Sequence, residues 1–249
     1  MENKEKAIVE RHNEILSIVS HDLKSPMVAI MGFAEYVLND MENKPHDPVW
    51  VDMLKRVVNA GHGMQKLVED ILSMAKMEAG KASVEPEWVA NLADQIRNCA
   101  STFDFEANAK RITLTVEIEG GLPSVRWDMR RIHYHVINNI VSNALKFTPA
   151  GGRVSISARF ADDAVQIRIS DTGPGIPPDE RERIFNRFER ANTASHRVQG
   201  GSGLGLYNAN LFVKRHGGKI SVESSGDTGT TFLIELPLEA VGKPESALN

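Results

Sequence analysis

The N-terminal third of the chain carries apolar side chains at helical spacing. From about residue 4 to residue 40 they recur three and four positions apart, which predicts a long helix with one buried stripe. The polar, proline-containing segment from Asn39 to Pro48 predicts a chain reversal. The same periodicity resumes at Val49 and continues to about Glu78, so we expect an antiparallel helical hairpin.

This hairpin is predicted to be one domain over residues 1–79. Two helices cannot enclose a core by themselves, so stripes this regular favour pairing with a second copy, as a homodimer with a four-helix bundle. The helical pattern starts almost at residue 1 without a capping residue. We therefore expect residues 1–12 to be the end of an upstream signalling helix, whose sensor domain is not in this chain.

The pattern changes after residues 80–87, which are predicted to be a linker. Residues 88–238 form a second predicted domain, which starts with a helix from about Trp88 to Asn108, and residues 239–249 are predicted to be a flexible tail. Alternating apolar and polar residues predict five strands in this domain. These strands are Ile112–Ile118, Arg153–Arg159, Ala164–Ser170, Lys219–Glu223 and Thr231–Leu236.

Two further helices are predicted among these strands, at Asp128–Phe147 and Gly205–His216. This order is typical of an α+β sandwich. The predicted fold class is therefore multidomain, α and α+β: a dimeric four-helix bundle built from the hairpin, followed by an α/β sandwich.

Composition excludes several classes of protein. The net charge of −4 and the scattered basic residues argue against a nucleic-acid partner. The single cysteine, Cys99, excludes an internal disulfide and a four-cysteine zinc site, and it is predicted to be a small buried residue in a helix. No run of apolar residues is long enough to span a membrane, so the expected location is the cytoplasm, with membrane attachment of a longer protein left open.

The first helix contains a candidate phosphate acceptor. His21 is followed directly by Asp22, and a neutral imidazole beside a carboxylate is a good nucleophile toward a phosphoryl group. Helical geometry places His21 and Ser25 on the face opposite the apolar stripe. From this segment alone, a merely solvent-exposed histidine remains an alternative. Pro26 lies inside the helical pattern and hints at a functional kink.

The predicted helix Asp128–Phe147 carries candidate ligands for a nucleotide. Asn139, Asn143 and Lys146 are spaced to lie on one helix face. Amide oxygens suit Mg²⁺, which keeps water and phosphate ligands, and a lysine can neutralise phosphate charge. An ordinary exposed polar face is the alternative.

Two glycine-rich loops complete the candidate pocket. The first follows a predicted strand and contains Asp171, Gly173 and Gly175, so that glycines allow close backbone approach while the carboxylate accepts the amino group of adenine. The second, Gly200–Leu206, leads into a helix whose N–H groups and dipole favour phosphate. Between them, the segment from Phe185 to Gln199 is predicted to be a mobile lid with aromatic hinges.

In their order, these segments resemble the motifs of the sensor histidine kinases of two-component systems. The segment around His21 is similar to the H box of that family and Asn139–Thr148 to its N box. Asp171–Ile176 is similar to the G1 box, Phe185–Phe188 to the F box and Gly201–Leu206 to the G2 box. The resemblance implies a dimerisation and histidine-phosphotransfer domain followed by an ATP-binding domain of the GHKL superfamily.

The resemblance also implies a role for each matching residue. His21 is the expected phospho-acceptor and Asp22 its acid/base partner. Asn143 is the expected Mg²⁺ ligand with Asn139 beside it, Lys146 contacts phosphate, and Asp171 reads adenine. The other residues expected to shape the ATP site are Gly173, Gly175, Ile176, Phe188, Gly201, Gly203, Leu204, Gly205 and Thr230.

The implied activity is that of a protein-histidine kinase. His21 takes the γ-phosphate of ATP and passes it to an aspartate in the receiver domain of a response regulator, which is expected to dock around Ser25–Ile30. Ser25 stands where the family often has Thr or Asn for phosphatase action, so phosphatase activity is left open. His133 and His135 also depart from the typical pattern and are predicted to be surface or packing residues.

Two other classes share parts of this pattern. Mechanical ATPases such as gyrase have a similar pocket, but they use a glutamate to activate water where this chain has Asn139, and an amide is no general base. A pseudokinase scaffold would bind partners without turnover, which the intact Asn143, Asp171 and Gly203 argue against.

Overall fold

The computed structural model describes residues 26–37, 48–78, 84–191, 202–223 and 229–240. Its contacts divide the chain into two compact units, Met1–Ala75 and Lys76–Asn249. His21, Asp22, Ser25 and Gly201 lie outside the described residues, as does most of the predicted lid.

The first unit is helical wherever it is described. Residues 26–37 form helix α1, and Pro48–Glu78 form helix α2, which runs without interruption through Gly61 and Gly63. Ile30, Phe33 and Val37 lie on the less exposed side of α1, as their spacing predicts. The helical prediction is therefore confirmed for these residues.

Both helices of this unit also expose apolar side chains. On α2, Leu54 is 49% exposed and Val58 is 54% exposed, although their neighbours Met53 and Val57 are partly buried. The other exposed apolar residues of the two helices are Met27, Val28, Met31, Tyr36, Val49, Val51 and Val68. The single chain thus leaves a second apolar face of the unit in contact with solvent.

The second unit contains seven strands and four helices among the described residues, together with two short 3₁₀ turns. The strands are β1 (Glu87–Val89), β2 (Thr113–Ile118), β3 (Val125–Trp127), β4 (Arg153–Ala161), β5 (Ala164–Asp171), β6 (Lys219–Val222) and β7 (Thr230–Pro237). The helices are α3 (Leu92–Ser101), α4 (Asp104–Ala109), α5, which consists of Met129–Arg131, a π-helical turn Ile132–Ile137 and Asn138–Phe147, and α6 (Gly205–Arg215). The 3₁₀ turns are Pro178–Glu180 and Arg183–Phe185.

Five of the strands form one mixed sheet in the order β2-β4-β5-β7-β6. β2 runs parallel to β4, and the other neighbours are antiparallel. β5 lies at the centre of the sheet and ends at Asp171, which pairs with Val154 on one side and Thr230 on the other. The last residue of the central strand is therefore held between two neighbouring strands.

The core lies between this sheet and the helices. Alternate residues of β5, including Val165, Ile167 and Ile169, are fully buried, which is the pattern of a strand that presents one face to a helical layer. α5 contacts β4 and β5, and α6 packs against the π turn of α5. The predicted α/β sandwich is confirmed.

Some elements differ from the sequence prediction. Trp88 lies in β1 rather than in a helix, and β1 pairs with β3 in a separate antiparallel ribbon. The helix that follows begins only at Leu92. The cause is tertiary, because a three-residue strand is stabilised by its pairing partner and leaves little local signal. Cys99 is 2% exposed in α3, as predicted, and burial raises the pKa of its thiol to about 11.

Among the described residues, no helix has both the length and the apolar character that crossing a membrane would require.

Candidate nucleotide-binding site

The C-terminal half of α5 presents the predicted amide and lysine side chains on one face. Asn139 is 5% exposed, whereas Asn143 and Lys146 are partly buried and remain accessible. The ammonium of Lys146 lies 5.1 Å from the centroid of the Phe147 ring. Along this face the side chains therefore change from a buried amide, Asn139, to an accessible cation, Lys146.

Asn139 connects α5 to the start of α6. Its Nδ2 donates to the backbone oxygen of His135 at 2.8 Å and to that of Gly205 at 3.3 Å. Both partners are carbonyl oxygens, so the NH₂ group must point toward them. Asn139 therefore fixes the first residue of α6 beside the helix that carries Asn143.

Asp171 occupies the end of the central strand with one oxygen already engaged. Its Oδ1 accepts the N–H of Gly173 at 2.8 Å and the N–H of Thr230 at 3.3 Å. These two bonds, together with a hydrogen bond from the Thr230 side chain, orient the carboxylate, which has further acceptor sites for a donor such as the amino group of adenine.

Burial changes the acidity of Asp171. The side chain is 9% exposed, and desolvation raises its pKa, while the hydrogen bonds from Gly173 and Thr230 act in the opposite direction. A carboxylate of this kind makes strong hydrogen bonds to a ligand, because little water competes for it.

Gly229 is a component of this site that the sequence analysis did not select. Its φ is +113°, and a Cβ at this position would collide with the backbone oxygen of Asp171. Only glycine combines that conformation with so close an approach. The signal in the sequence was a glycine directly before the first residue of β7, Thr230.

The second glycine loop leads into α6. The Ser202 hydroxyl accepts the N–H of Leu204 at 3.3 Å, and α6 begins at Gly205. The N–H groups of the first helical turn lack partners within the helix, so this end favours an anion such as phosphate. Leu204 is fully buried and anchors the loop in the core.

Gly203 packs against the backbone of Phe188. A Cβ on Gly203, whose φ is +69°, would lie 2.7 Å from the carbonyl carbon of Phe188. Phe188 itself has a φ of +59°, which is unusual for a bulky residue. The contact between the lid segment and the second loop is therefore made by backbone atoms.

The residues before Phe188 fasten this segment to the domain. Phe185 packs edge-on against Phe232 of β7, with ring centroids 6.2 Å apart. The guanidinium of Arg187 lies 5.0 Å from the ring centroid of Tyr207 in α6. Ile184 is also buried, so the base of the lid is rigidly held.

Most of the predicted ATP-site residues come together in this region. Gly173 approaches the backbone oxygen of Phe147 at the end of α5, and Gly205 contacts Asn139 near its middle. Gly175 has a φ of +74°, and Ile176 is 6% exposed. Thr230 binds Asp171 through its N–H. The structure therefore joins both glycine loops to α5, apart from Gly201, which is outside the described residues.

The site also fits a magnesium ion chemically. Among the described residues, no three His, Cys, Asp or Glu side chains are grouped as a protein-only metal site. The accessible amide of Asn143 is a neutral oxygen ligand, which suits an ion held mainly by phosphate oxygens and water.

Two family models match the chain. Residues 11–80 match the His Kinase A (phospho-acceptor) domain, and residues 128–240 match the histidine kinase-, DNA gyrase B- and HSP90-like ATPase. The chain belongs to the sensor histidine kinases. A curated relative, the sensor histidine kinase RppB of Synechocystis, is 31% identical over 233 residues, which are 93% of this chain and 50% of RppB.

Solved histidine kinase structures resemble this one. Full-length ShkA in complex with AMPPNP matches with a TM-score of 0.66 and 27% identity, over 93% of this chain and 47% of ShkA. ThkA in complex with the response regulator protein TrrA matches with a TM-score of 0.68 and 23% identity, over 95% of this chain and 65% of ThkA, which shows the fold. The chain spans half or less of the length of the first curated relatives that it matches.

The second unit accordingly contains the residues that match the ATPase model, and the first contains most of those that match the phospho-acceptor model. His21 falls within the residues that match the phospho-acceptor model.

Proposed function

We propose that this chain transfers the γ-phosphate of ATP to His21 and then to an aspartate of a response regulator. The observation that carries the proposal is that Asn139 joins the helix of Asn143 to the start of α6, while Gly173, next to the Asp171 turn, approaches the end of the same helix. His21 lies in a segment that matches the phospho-acceptor domain.

In the proposed mechanism, each residue of the pocket has one task. Asp171, oriented by Gly173 and Thr230, accepts a hydrogen bond from the amino group of adenine. Lys146 and the N-terminal turn of α6 stabilise the triphosphate. Most of the acceleration of phosphoryl transfer then comes from holding the γ-phosphate in line with a ring nitrogen of His21, because this reaction depends on positioning and charge stabilisation.

We assign Asp22 the task of orienting the imidazole and accepting its proton. Asn143, with Asn139 beside it, is the proposed ligand of Mg²⁺, which would neutralise the charge on the β- and γ-phosphates when bound. Asn139 cannot act as a general base toward water. Its Nδ2 is also engaged with His135 and Gly205. This favours transfer to histidine over the ATP hydrolysis of the gyrase-like enzymes.

The proposed partners are a response regulator and a second copy of this chain. ThkA has been solved with the response regulator TrrA, and we propose that a receiver domain docks here near Ser25–Ile30. The exposed apolar residues of α1 and α2 support a homodimer. We propose a cytoplasmic location, and a role for Ser25 in dephosphorylation of the regulator.

The test is incorporation of labelled γ-phosphate. His21→Ala should abolish acid-labile, base-stable labelling, because no imidazole remains to accept phosphate. It should leave the binding of a fluorescent ATP analogue unchanged, because the nucleotide site is elsewhere.

His62→Ala is a matched control, since His62 lies on an exposed part of α2 and has no proposed role. It should label like the wild-type chain. Persistent acid-labile labelling of His21→Ala would show that another residue is the acceptor.

A further inference from the structure

A buried hydrogen bond joins the N-cap residue of α5 to the C-cap residue of α6. Asp128 is the N-cap of α5, and its backbone N–H points at Nε2 of His216 with a separation of 3.1 Å. His216 is the C-cap of α6 and is fully buried. No part of the proposed chemistry uses this pair.

The contacts of His216 define its protonation state. Its Nδ1 lies 2.8 Å from the backbone oxygen of Phe212, which can only accept a hydrogen bond. Nδ1 therefore carries the proton, and Nε2 is the acceptor from Asp128. Burial lowers the pKa of His216, which keeps the ring in this neutral form.

The side chain of Asp128 strengthens the same connection. It accepts the backbone N–H of Arg131 through Oδ1 and the Nε of Arg131 through Oδ2, each at 3.1 Å. The guanidinium of Arg131 in turn lies 5.4 Å from the ring centroid of Phe212 in α6. Asp128, Arg131, Phe212 and His216 thus form a closed circuit of contacts between the two helices.

A second polar connection between α5 and α6 is the bond from Asn139 to the backbone of Gly205, at the opposite end of α6. Between the two connections, α5 contains the π-helical turn Ile132–Ile137. A π turn holds an extra residue and is rarely stable without support from its surroundings.

If the connection at Asp128 were lost, the π turn could relax and rotate the helix that follows it. That helix carries Asn143 and Lys146, whereas α6 supplies the N-terminal turn that faces phosphate. Their separation would no longer be fixed at both ends. Small displacements of this kind are costly in phosphoryl transfer, because the reaction depends on geometry.

We propose that His216 and Asp128 are positioning residues, which hold α5 and α6 in the register that binds Mg·ATP. The proposal rests on the proposed function in taking ATP as the nucleotide and Asn143 as the ligand of Mg²⁺. Neither residue need touch the nucleotide, since the effect is transmitted through the two helices.

Two conservative substitutions of His216 distinguish an effect on nucleotide binding from a general loss of unfolding free energy. The Oε1 of a glutamine reaches the place of Nε2, so His216→Gln keeps the acceptor for the Asp128 N–H. The shorter His216→Asn keeps the donor to Phe212 and loses that acceptor. We expect His216→Asn to weaken binding of a fluorescent ATP analogue with Mg²⁺ by about tenfold, and His216→Gln by less than about threefold.

Three measurements on the full chain make this comparison decisive. Thermal unfolding identifies a temperature at which both variants are folded. Binding of the analogue without Mg²⁺ should differ less between them than binding with Mg²⁺, because the displaced group is the Mg²⁺ ligand Asn143. Equal affinities of folded His216→Asn and His216→Gln would overturn the proposal.

The same experiment distinguishes failure of the proposed kinase function from failure of the proposed connection between α5 and α6. Binding of the ATP analogue does not require transfer to His21. A chain that binds it but acquires no acid-labile phosphate would refute the kinase reaction and still test the connection between α5 and α6.

Discussion

Asp171 shows how one side chain serves both the fold and the ligand. Its Oδ1 accepts the N–H groups of Gly173 and Thr230, which stabilises the turn after β5, and the same carboxylate is the proposed acceptor for adenine. The sequence identified this residue because a carboxylate stood between a strand and two glycines. It did not identify Gly229, whose close approach to Asp171 arises only when β7 pairs with β5.

Asp171→Asn should separate these two tasks. The amide oxygen can still accept from Gly173 and Thr230, but the NH₂ group would face the amino group of adenine, donor against donor. We expect ATP affinity to fall by more than about 100-fold, since a buried donor would be left unpaired. Isothermal titration of the wild-type chain and of Asp171→Asn with ATP measures this loss of affinity.

The ATP affinity of Asp171→Asn is expected to fall, but its free energy of unfolding at neutral pH is expected to stay the same or rise. Burial raises the pKa of Asp171, so the folded protein holds this proton more tightly than the unfolded chain does. The contribution of Asp171 to stability is therefore present at low pH and declines as pH rises through the folded pKa. At neutral pH, Asp171→Asn should be as stable as the wild type or more stable in urea, and a less stable variant would contradict this account.

At the scale of elements, periodicity predicted the long helices and the central strands because each buries one face. It placed Trp88 in a helix, although this residue belongs to β1, whose partner β3 is distant in sequence. The π turn of α5 was also not predicted, since apolar spacing does not show which carbonyl a given N–H will reach. His133 and His135 both fall in this turn, where His135 stacks on Phe212.

Where the chain enters the ATP-binding domain, at Glu85, its backbone is bound by the side chain of Asp128. The backbone N–H of Glu85 donates to Oδ2 of Asp128 at 3.1 Å. Glu85→Pro removes this donor, whereas Glu85→Ala keeps it. We expect the proline variant to lose about 1–2 kcal/mol of unfolding free energy and the alanine variant almost none.

Denaturation by urea, followed by tryptophan fluorescence, measures this difference. The same two substitutions in an Asp128→Ala background provide the control. If the hydrogen bond is the cause, the proline should have little further effect there, because the acceptor is already absent. An undiminished effect in that background would show that the proline acts through backbone strain instead.

At the scale of the whole molecule, the proposed homodimer would cover the exposed apolar face of α1 and α2. Leu54 and Val58 are about half exposed in the single chain, so a charge there costs the isolated chain little. At an interface between copies, two unpaired charges would be buried, which is strongly unfavourable. We therefore expect Leu54→Glu with Val58→Glu to be folded and monomeric, and the wild-type chain to be a dimer.

Sedimentation equilibrium at micromolar concentration distinguishes the two states. Lys55→Glu is the matched control, because Lys55 lies on the same exposed stretch of α2 but is not part of the apolar face. It should remain dimeric. Circular dichroism should show unchanged helix content in all three proteins. A monomeric wild-type chain, or a dimeric double variant, would refute the assignment of this face to the homodimer and leave it available to another partner, with the response regulator as the first candidate to test.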